Sequence, residues 1–370
     1  MKQKILFIAS YAKSLIDFRW HLMRAFQNEG YAVFTCAPSD PVVAQQLATA
    51  GIQFFPLPMH RTGLNPWRDM IYMYRLYRLM RRIKPDWLLC YTIKPVIYGS
   101  FIGRFCNVAK ICSMITGTGY AFSNDDLKSR MVGFIAQRLF KFALKHNHKI
   151  YFQNPDNRRE FLVRGLVNHT QELVLINGSG VDLDYFSPTP FQGTIKFLMV
   201  ARLLIDKGVR EYIAAARQVK LHHPNTEFLL AGWLDENPNA ITQGELDQYV
   251  QSGVITYLGV LKDVRPAIAD ASIYVLPSYG EGLPRSVLEA MAMGRPIITT
   301  DVPGCRQTVV PHQNGYLVPV KNVSELVEAM RRFLHNPQLI ADMGARSRKI
   351  AEEKYDVHQV NQTILTSMIA

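Results

Sequence analysis

Short, continuous apolar runs alternate with amphipathic stretches along the whole chain, and that rhythm leaves few folds open. KILFIAS, AVFTCAP, WLLCY, KICSMI, KIYFQN and LVLING read as strands of the first half. KFLMVA, EFLLAG, VITYLG, IYVLPS, PIITTD and GYLVPV read as strands of the second. A strand that is apolar along its length, rather than at alternate positions, has both faces covered, as in a parallel sheet between helices. Residues 15–28, 67–83, 208–221 and 283–293 carry helical spacing between such runs. The βαβα order predicts an α/β protein built of doubly wound, Rossmann-like sheets. The rhythm restarts near residue 195, after NGSGVDLDYFSPTPFQG at 177–193, whose Gly, Ser and Pro content marks a linker. Two domains are expected, 1–183 and 184–353, with 354–370 as a closing helix. A length of 370 residues fits two domains of roughly 180 residues better than one core. Ligands of such sheets bind outside the carboxyl ends of the strands, so a cleft between the two carboxyl edges is the expected site.

A composition 48% hydrophobic and 19% charged excludes a disordered chain. No run reaches the ~18 apolar residues of a membrane-spanning helix. The opening MKQKILFIASYA has a short apolar run and no convincing cleavage site behind it, and reads as a buried strand rather than a signal peptide. Cys36, Cys90, Cys106, Cys112 and Cys305 form no CxxC pair. An odd, scattered set of this kind reads as reduced thiols of a cytosolic protein. The net charge of +12 is unevenly shared. Residues 1–183 hold 24 Lys and Arg against 11 Asp and Glu, whereas 184–370 hold 18 against 19. The first domain is therefore expected to meet something anionic.

Two segments carry much of that excess. NPWRDMIYMYRLYRLMRRIK, 65–84, has six Lys or Arg and one acid, with Trp67, Met70, Ile71 and Tyr74 among its apolar residues. LKSRMVGFIAQRLFKFALKHNHK, 127–149, has six and no acid, interleaved with Met131, Phe134, Ile135, Leu139 and Phe142. Basic amphipathic helices with aromatics fit the face of an anionic membrane. Arg75, Arg78, Arg81, Arg82, Lys128, Arg130, Arg138, Lys141 and Lys145 are the candidate contacts. The same pattern also fits plain outer helices with solvated cations. Nucleic acid is the rival partner for a basic face, but no recognisable binding module is present.

The second half holds the denser constellation. After KFLMVA comes RLLIDKG, which places Arg202 and Lys207 in a strand-to-helix loop. Backbone amides and the helix dipole make such a loop an anion site, and a guanidinium fork with an ammonium suits a diphosphate. Two solvated surface cations are the plainer reading. In YGEGLPRSVLEAMAMGRPIITTD, 279–301, Glu281 lies in a glycine turn and Glu289 on the helix that follows, with Pro284 suited to its first turn and Gly294 as its stop. The glycines beside Glu281 let backbone approach a ligand, and each carboxylate can accept two hydrogen bonds from vicinal hydroxyls. A Glu-x7-Glu spacing alone is weak; its frame of strand, Gly-Glu-Gly-Leu-Pro, helix, Gly-Arg-Pro and strand is far more specific. Asp182 and Asp184 form a DxD spacing within the linker and read as a turn rather than a metal site.

With these motifs in order, ARLLIDKG, YGEGLPRSVLEAMAMGRPIITTDVPG, NGYLVP and INGSGVDLDYFSP, the chain resembles the family 4 retaining glycosyltransferases of the two-domain GT-B fold. The resemblance implies that Arg202 and Lys207 hold a donor diphosphate, that Glu289 takes the ribose hydroxyls and that Glu281 contacts the donor sugar. Backbone near Gly282, Leu283 and Pro284 would help to grip sugar and phosphate. It implies no cofactor and no metal, and a closing helix that returns to the first domain. FRWHL, TIKP, TGTGYAF and FQNPDNRREF resemble the subgroup that acts on polyprenyl-diphosphate sugars. The implied activity is transfer of a hexose or N-acetylhexosamine, with UDP-N-acetylgalactosamine as the guess for the donor. The implied acceptor is a lipid-diphosphate-linked saccharide, and the implied place is the inner face of the cytoplasmic membrane.

The first half departs from the family pattern in two places. Relatives carry a glycine pair in the loop after the first strand, and SYAKSLIDFRW has none. Ser14 and Leu15 are the candidate phosphate contacts there, with Arg19 a turn further, facing either the cleft or solvent. Relatives often place a histidine near the end of the fourth strand, where this chain has Thr92 and Lys94. Lys94 is a phosphate or acceptor candidate, or a plain surface lysine. Thr116, Gly117, Thr118 and Gly119 form a loop fit for close approach to a ligand. Two other classes keep a place: a nucleotide-sugar epimerase of the same fold, and a non-catalytic nucleotide-sugar-binding protein. A nicotinamide dehydrogenase fits less well, because no G-x-G-x-x-G follows the first strand.

Overall fold

A computed structural model describes residues 2–59, 65–117, 127–191, 193–235, 237 and 239–369, with backbone alone at 127–130 and 132. Two compact units emerge: Met1–Ser179 with His358–Ala370, and Gly180–Val357.

The first unit runs β1 (Lys4–Ile8), α1 (Lys13–Asn28), β2 (Ala32–Ala37), α2 (Pro41–Thr49), β3 (Gln53–Pro56), α3 (Pro66–Ile83), β4 (Trp87–Tyr91), α4 (Ile93–Phe105), β5 (Lys110–Ile115), α5 (Leu127–Leu144), β6 (Lys149–Phe152), α6 (Pro155–Val163) and β7 (Glu172–Leu175). The strands form one parallel sheet in the order β3-β2-β1-β4-β5-β6-β7. Three helices start on Asp40-Pro41, Asn65-Pro66 and Asn154-Pro155, where the acid or amide oxygen accepts first-turn amides and proline fills the next position. Successive residues of β1 point to opposite faces, Ile5 and Phe7 to one core, Leu6 and Ile8 to the other. The continuous apolar run of the sequence is this two-sided burial. On the Ile5 face lie α1, α2 and the closing helix α13 (Val357–Ile369), whose Val360, Ile364, Leu365 and Met368 are buried there. Its C-terminal turn is tied down by Lys149 on the Ser367 carbonyl and by the Tyr151 hydroxyl, 2.8 Å from the Ser367 hydroxyl. The Leu6 face is covered by α3, α4, α5 and α6.

The second unit runs β8 (Lys196–Val200), α7 (Val209–Lys220), β9 (Glu227–Ala231), α8 (Gln243–Gln251), β10 (Thr256–Tyr257), α9 (Arg265–Asp270), β11 (Ile273–Leu276), α10 (Arg285–Ala292), β12 (Ile297–Thr300), β13 (Gly315–Val318), α11 (Val323–His335) and α12 (Gln338–Lys354). Its strands are again parallel, in the order β10-β9-β8-β11-β12-β13. The sequence expectation of two parallel doubly wound sheets is met. β8 and β11 are neighbours at the centre, where the strand order reverses, and their carboxyl-end loops carry the motifs of the second half.

Among the described residues no helix is long and apolar enough to cross a membrane. Cys36, Cys90, Cys112 and Cys305 are buried free thiols, and burial pushes Cys36 and Cys112 up to about 12.

Candidate active site

β8 ends at Val200, and its loop carries Arg202 and then a single 3₁₀ turn, Ile205–Lys207, before α7. β11 ends at Leu276, and its loop carries Glu281 before α10. Because the two strands pair, the two loops bond directly: the Tyr279 amide donates to the Asp206 carbonyl at 2.8 Å, and the Ser278 hydroxyl donates to it at 3.2 Å. The Glu281 amide donates to the Pro303 carbonyl, 3.0 Å away in the loop after β12. Two glycines make this close packing possible. Gly208 has φ +76°, and a Cβ there would stand 2.1 Å from the Pro277 carbonyl oxygen. Gly304 has φ +82°, and its Cβ would stand 2.4 Å from the carbonyl oxygen of Glu281. Neither position accepts a side chain without moving a loop of the site.

The charged side chains meet in pairs. Lys207 Nζ lies 2.6 Å from Glu281 Oε1, with the two side chains only 14% and 17% exposed. The sequence put these two in different motifs; the fold brings them into contact. Glu289, on the second turn of α10, takes Arg285 Nε at 2.8 Å. Arg202 Nη1 lies 3.1 Å from Asp235 Oδ2 in the loop after β9. Behind Glu281 the Cys305 thiol is pushed up to about 12, first by burial and then by the Glu281 carboxylate, and stays protonated. Tyr279 is raised by burial and by its hydrogen bond to Glu211. Pro284 stands at the N-cap of α10, just before its first turn, with extended backbone at φ −72° and ψ 108°. Gly282 and Pro284 are buried and Leu283 is half-buried beside them. Gly294, at φ +77°, donates its amide to Met291 and ends the helix as expected.

Sequence reasoning missed Asp235, Arg285 and Gly304. Arg285 and Glu289 have the i, i+4 spacing of a helical ion pair, which was readable. Asp235 was not, because only the pairing of Val200 with Ala231 sets its loop beside that of Arg202. Asp182 Oδ1 accepts the amides of Asp184 and Tyr185 at 3.1 and 2.9 Å, a side-chain-closed turn. Among the described residues no cluster of three His, Cys, Asp or Glu is placed to hold a metal.

The first-unit candidates fall out differently. α1 begins at Lys13, two residues before the expected start, and the amides of Ser14 and Leu15 donate to the Tyr11 and Ala12 carbonyls in its first turn. These amides are used by the helix itself, so they do not form an open phosphate cradle. The Ser14 hydroxyl is 3.0 Å from the Tyr91 hydroxyl. Arg19 faces inward: it is 2% exposed, with its guanidinium 4.9 Å over the Tyr91 ring. Lys94 is no free surface lysine. Its Nζ lies 2.8 Å from Asp69 Oδ1, and the Tyr98 hydroxyl donates to the other carboxylate oxygen. Thr116 and Gly117 follow β5 half-buried, Gly117 at φ +133°. Thr118 and Gly119, and the side chains of Lys128 and Arg130, lie outside the described residues. Arg75, Arg78, Arg81 and Arg82 are exposed on α3, Arg138 and Lys141 on α5, and Lys145 just beyond its end. Arg138 stacks 4.9 Å over Phe134.

Two parallel doubly wound units, with cations and carboxylates gathered on the carboxyl edge of the second, have the architecture of the GT-B glycosyltransferases. Residues 183–350 match the family model of group 1 glycosyl transferases, and residues 4–154 match the glycosyl transferase 4-like model. The chain belongs to this family of glycosyltransferases. It is 26% identical to the N,N'-diacetylbacillosaminyl-diphospho-undecaprenol alpha-1,3-N-acetylgalactosaminyltransferase of Campylobacter jejuni, over 98% of this chain and 97% of that protein. It is 25% identical to the UDP-Gal:alpha-D-GlcNAc-diphosphoundecaprenol alpha-1,3-galactosyltransferase of Escherichia coli, over 82% and 80%. Sucrose-phosphate synthase from Thermosynechococcus elongatus matches with a TM-score of 0.82 at 17% identity, over 99% of this chain and 98% of that one. Anabaena HepE, solved in complex with UDP and glucose, matches with a TM-score of 0.78 at 16% identity over 100% of both chains. At such identities the structural likeness speaks for the fold.

Proposed function

We propose that this chain moves a hexose or N-acetylhexosamine, N-acetylgalactosamine first among them, from a UDP-sugar to a saccharide carried on a polyprenyl diphosphate. The anomeric configuration is retained and no metal takes part. The observation that carries the reading is the Lys207–Glu281 contact, which holds at one point of the carboxyl edge the cation and the carboxylate that the family resemblance gives to phosphate and sugar. The names of the relatives from Campylobacter jejuni and Escherichia coli support the lipid-linked acceptor.

In this reading Arg202 and Lys207 bind the diphosphate, Glu289 accepts the ribose hydroxyls and Glu281 the sugar hydroxyls. The bond from the anomeric carbon to the β-phosphate oxygen breaks, and the acceptor oxygen bonds to that carbon from the same face. The charge that develops on the β-phosphate oxygen as its bond breaks is stabilised by the two cations, and that oxygen takes the acceptor proton as the new bond forms. Fixed cations do this work without a divalent ion. The acceptor's lipid places the reaction at the cytoplasmic membrane face, where the basic helices of the first unit meet anionic headgroups.

The test offers the purified chain a panel of labelled UDP-sugars with bacterial lipid-linked saccharides, with and without EDTA. Label from UDP-N-acetylgalactosamine is expected in the lipid fraction at a rate unchanged by EDTA. Abolition by EDTA with recovery on Mn²⁺ sinks the metal-free step. Conversion of the donor to another nucleotide sugar, with none in the lipid, replaces transfer by epimerisation.

A further inference from the structure

Glu281 is carried by a segment with little stiffness of its own. Gly280 and Gly282 flank it, so no neighbouring side chain anchors the turn. A carboxylate that must meet sugar hydroxyls has to be placed to within about 0.5 Å. That placement comes from outside the turn.

Tyr279, the residue just before the turn, is where three elements meet. Its amide donates to the Asp206 carbonyl at 2.8 Å, in the loop that carries Lys207. Its hydroxyl donates to Glu211 Oε1 at 2.6 Å, in the first turn of α7. Lys321, in the loop between β13 and α11, lies with its Nζ 5.0 Å over the ring. Burial and the bond to Glu211 both raise the phenol's pKa, so it stays protonated and remains the donor.

Glu211 is not needed to dock its helix. α7 packs through Tyr212, Ile213, Ala216 and Val219, among others. The second carboxylate oxygen, Oε2, is buried with no hydrogen-bond partner among the described residues. A buried oxygen without a donor costs stability, and the helix dipole rewards an exposed acid in the first turn just as well. What the buried position adds is a charge-assisted bond to the phenol, stronger than one to a neutral acceptor.

We propose that the Tyr279–Glu211 hydrogen bond is a positioning contact, which holds Glu281 in register with Lys207 for the donor sugar; the inference rests on the proposed sugar contact of Glu281. Neither residue has to touch the donor. The phenol fixes the near end of the glycine turn, and the Glu281 amide on the Pro303 carbonyl fixes the turn itself. The Lys207–Glu281 ion pair cannot serve this purpose in the loaded site, because a diphosphate takes the ammonium. The phenol–carboxylate bond lies to one side and persists when the donor is bound.

The test makes Tyr279→Phe, Glu211→Ala, Glu211→Gln and the double variant Tyr279→Phe with Glu211→Ala in the full chain. Calorimetry gives affinities for UDP, UDP-N-acetylgalactosamine, UDP-galactose and UDP-glucose, and label transfer to lipid-linked saccharides gives kcat. Tyr279→Phe removes one oxygen and keeps the ring under Lys321. It and Glu211→Ala are each expected to lower kcat about tenfold and to weaken the tightest UDP-sugar severalfold, with UDP affinity unchanged. The double variant is expected to lose no more than the worse single one, since both remove the same bond. Glu211→Gln, whose amide oxygen still accepts from the phenol, is expected to recover most of what Glu211→Ala loses. A merely structural role lowers UDP affinity and thermal midpoint along with kcat, and that result overturns the inference. So do a Tyr279→Phe protein that matches the parent and losses that add in the double variant. The affinity measurements need no acceptor, so they decide even where no transfer is seen. Glu281→Gln, run in parallel, separates the two readings. If it leaves UDP-sugar affinity and kcat at the parent's level, the sugar contact fails and the positioning contact falls with it. If it lowers them and Tyr279→Phe does not, the sugar contact stands and the positioning contact alone is wrong.

Discussion

Lys207 and Glu281 share one ion pair of 2.6 Å; on the proposed reading, a diphosphate that takes the ammonium releases the carboxylate toward a sugar. Binding of the donor's two ends is then coupled through a single contact. Lys207→Ala is expected to lower kcat about a hundred- to thousandfold, the cost of removing one preorganised charge from a leaving group. Steady-state kinetics over a range of donor concentrations check this; an effect confined to KM would mean that Lys207 binds the ground state and the transition state equally. Gly304 acts through backbone. Because its missing Cβ would overlap the Glu281 carbonyl, Gly304→Ala must push the Glu281 loop aside, and kcat/KM is expected to fall by up to about a hundredfold. A normal kcat/KM in a folded Gly304→Ala protein shows that the loop's position is not critical. The placement of Arg202, Lys207, Glu281 and Glu289 behind β8 and β11 was legible because each follows an apolar run that reads as a strand. Arg19 was legible in principle as well: Leu15, Arg19, Leu22, Met23 and Phe26 form one buried stripe, and helical spacing alone puts the arginine on it.

At the scale of elements, the sequence revealed strands that lie within longer apolar runs and hid β3, which does not read as one. β3, QFFP, lies at the sheet edge with its outer residues exposed and ends in proline, so it offers neither a full apolar run nor clean alternation. For α13 the buried residues follow helical spacing, but spacing cannot say which sheet a helix covers; the Lys149 and Tyr151 contacts with Ser367 do. His223, just beyond the end of α7, meets His335 at the end of α11, a contact that no motif signals. His223 and His335 lie 5.7 Å apart, and burial, His335, Arg331 and His222 hold His223 below its ordinary 6.5. A depressed folded-state value means that the unfolded chain binds the proton more readily. This contribution to stability is therefore present above pH 6.5 and is lost as pH falls through the lower folded-state value. His223→Gln is expected to shrink the difference in urea midpoint between about pH 7.5 and about pH 5.5. An unchanged difference assigns the acid sensitivity to other groups, His146 and His148 among them, which are lowered as well.

At the scale of the molecule, the chain changes units twice, after Ser179 and after Val357, while its charge is divided once. The basic excess of residues 1–183 is displayed in part by exposed arginines on α3 and cations on α5, beside outward-facing aromatics. On the proposed reading Coulomb attraction and apolar insertion act on the same lipid surface, and salt separates them. At about 1 M salt the screening length is ~3 Å, against ~10 Å at about 0.1 M. The chain is expected to co-sediment with anionic vesicles at the lower salt and to lose most of that binding at the higher, with little binding to neutral vesicles at either. Arg78→Glu with Arg81→Glu is expected to mimic the effect of salt, since the two lie on exposed turns and their replacement leaves the core intact. Salt-resistant binding to neutral vesicles would assign the contact to the aromatics alone. DNA binding that persists where vesicle binding is absent would turn the basic face toward nucleic acid.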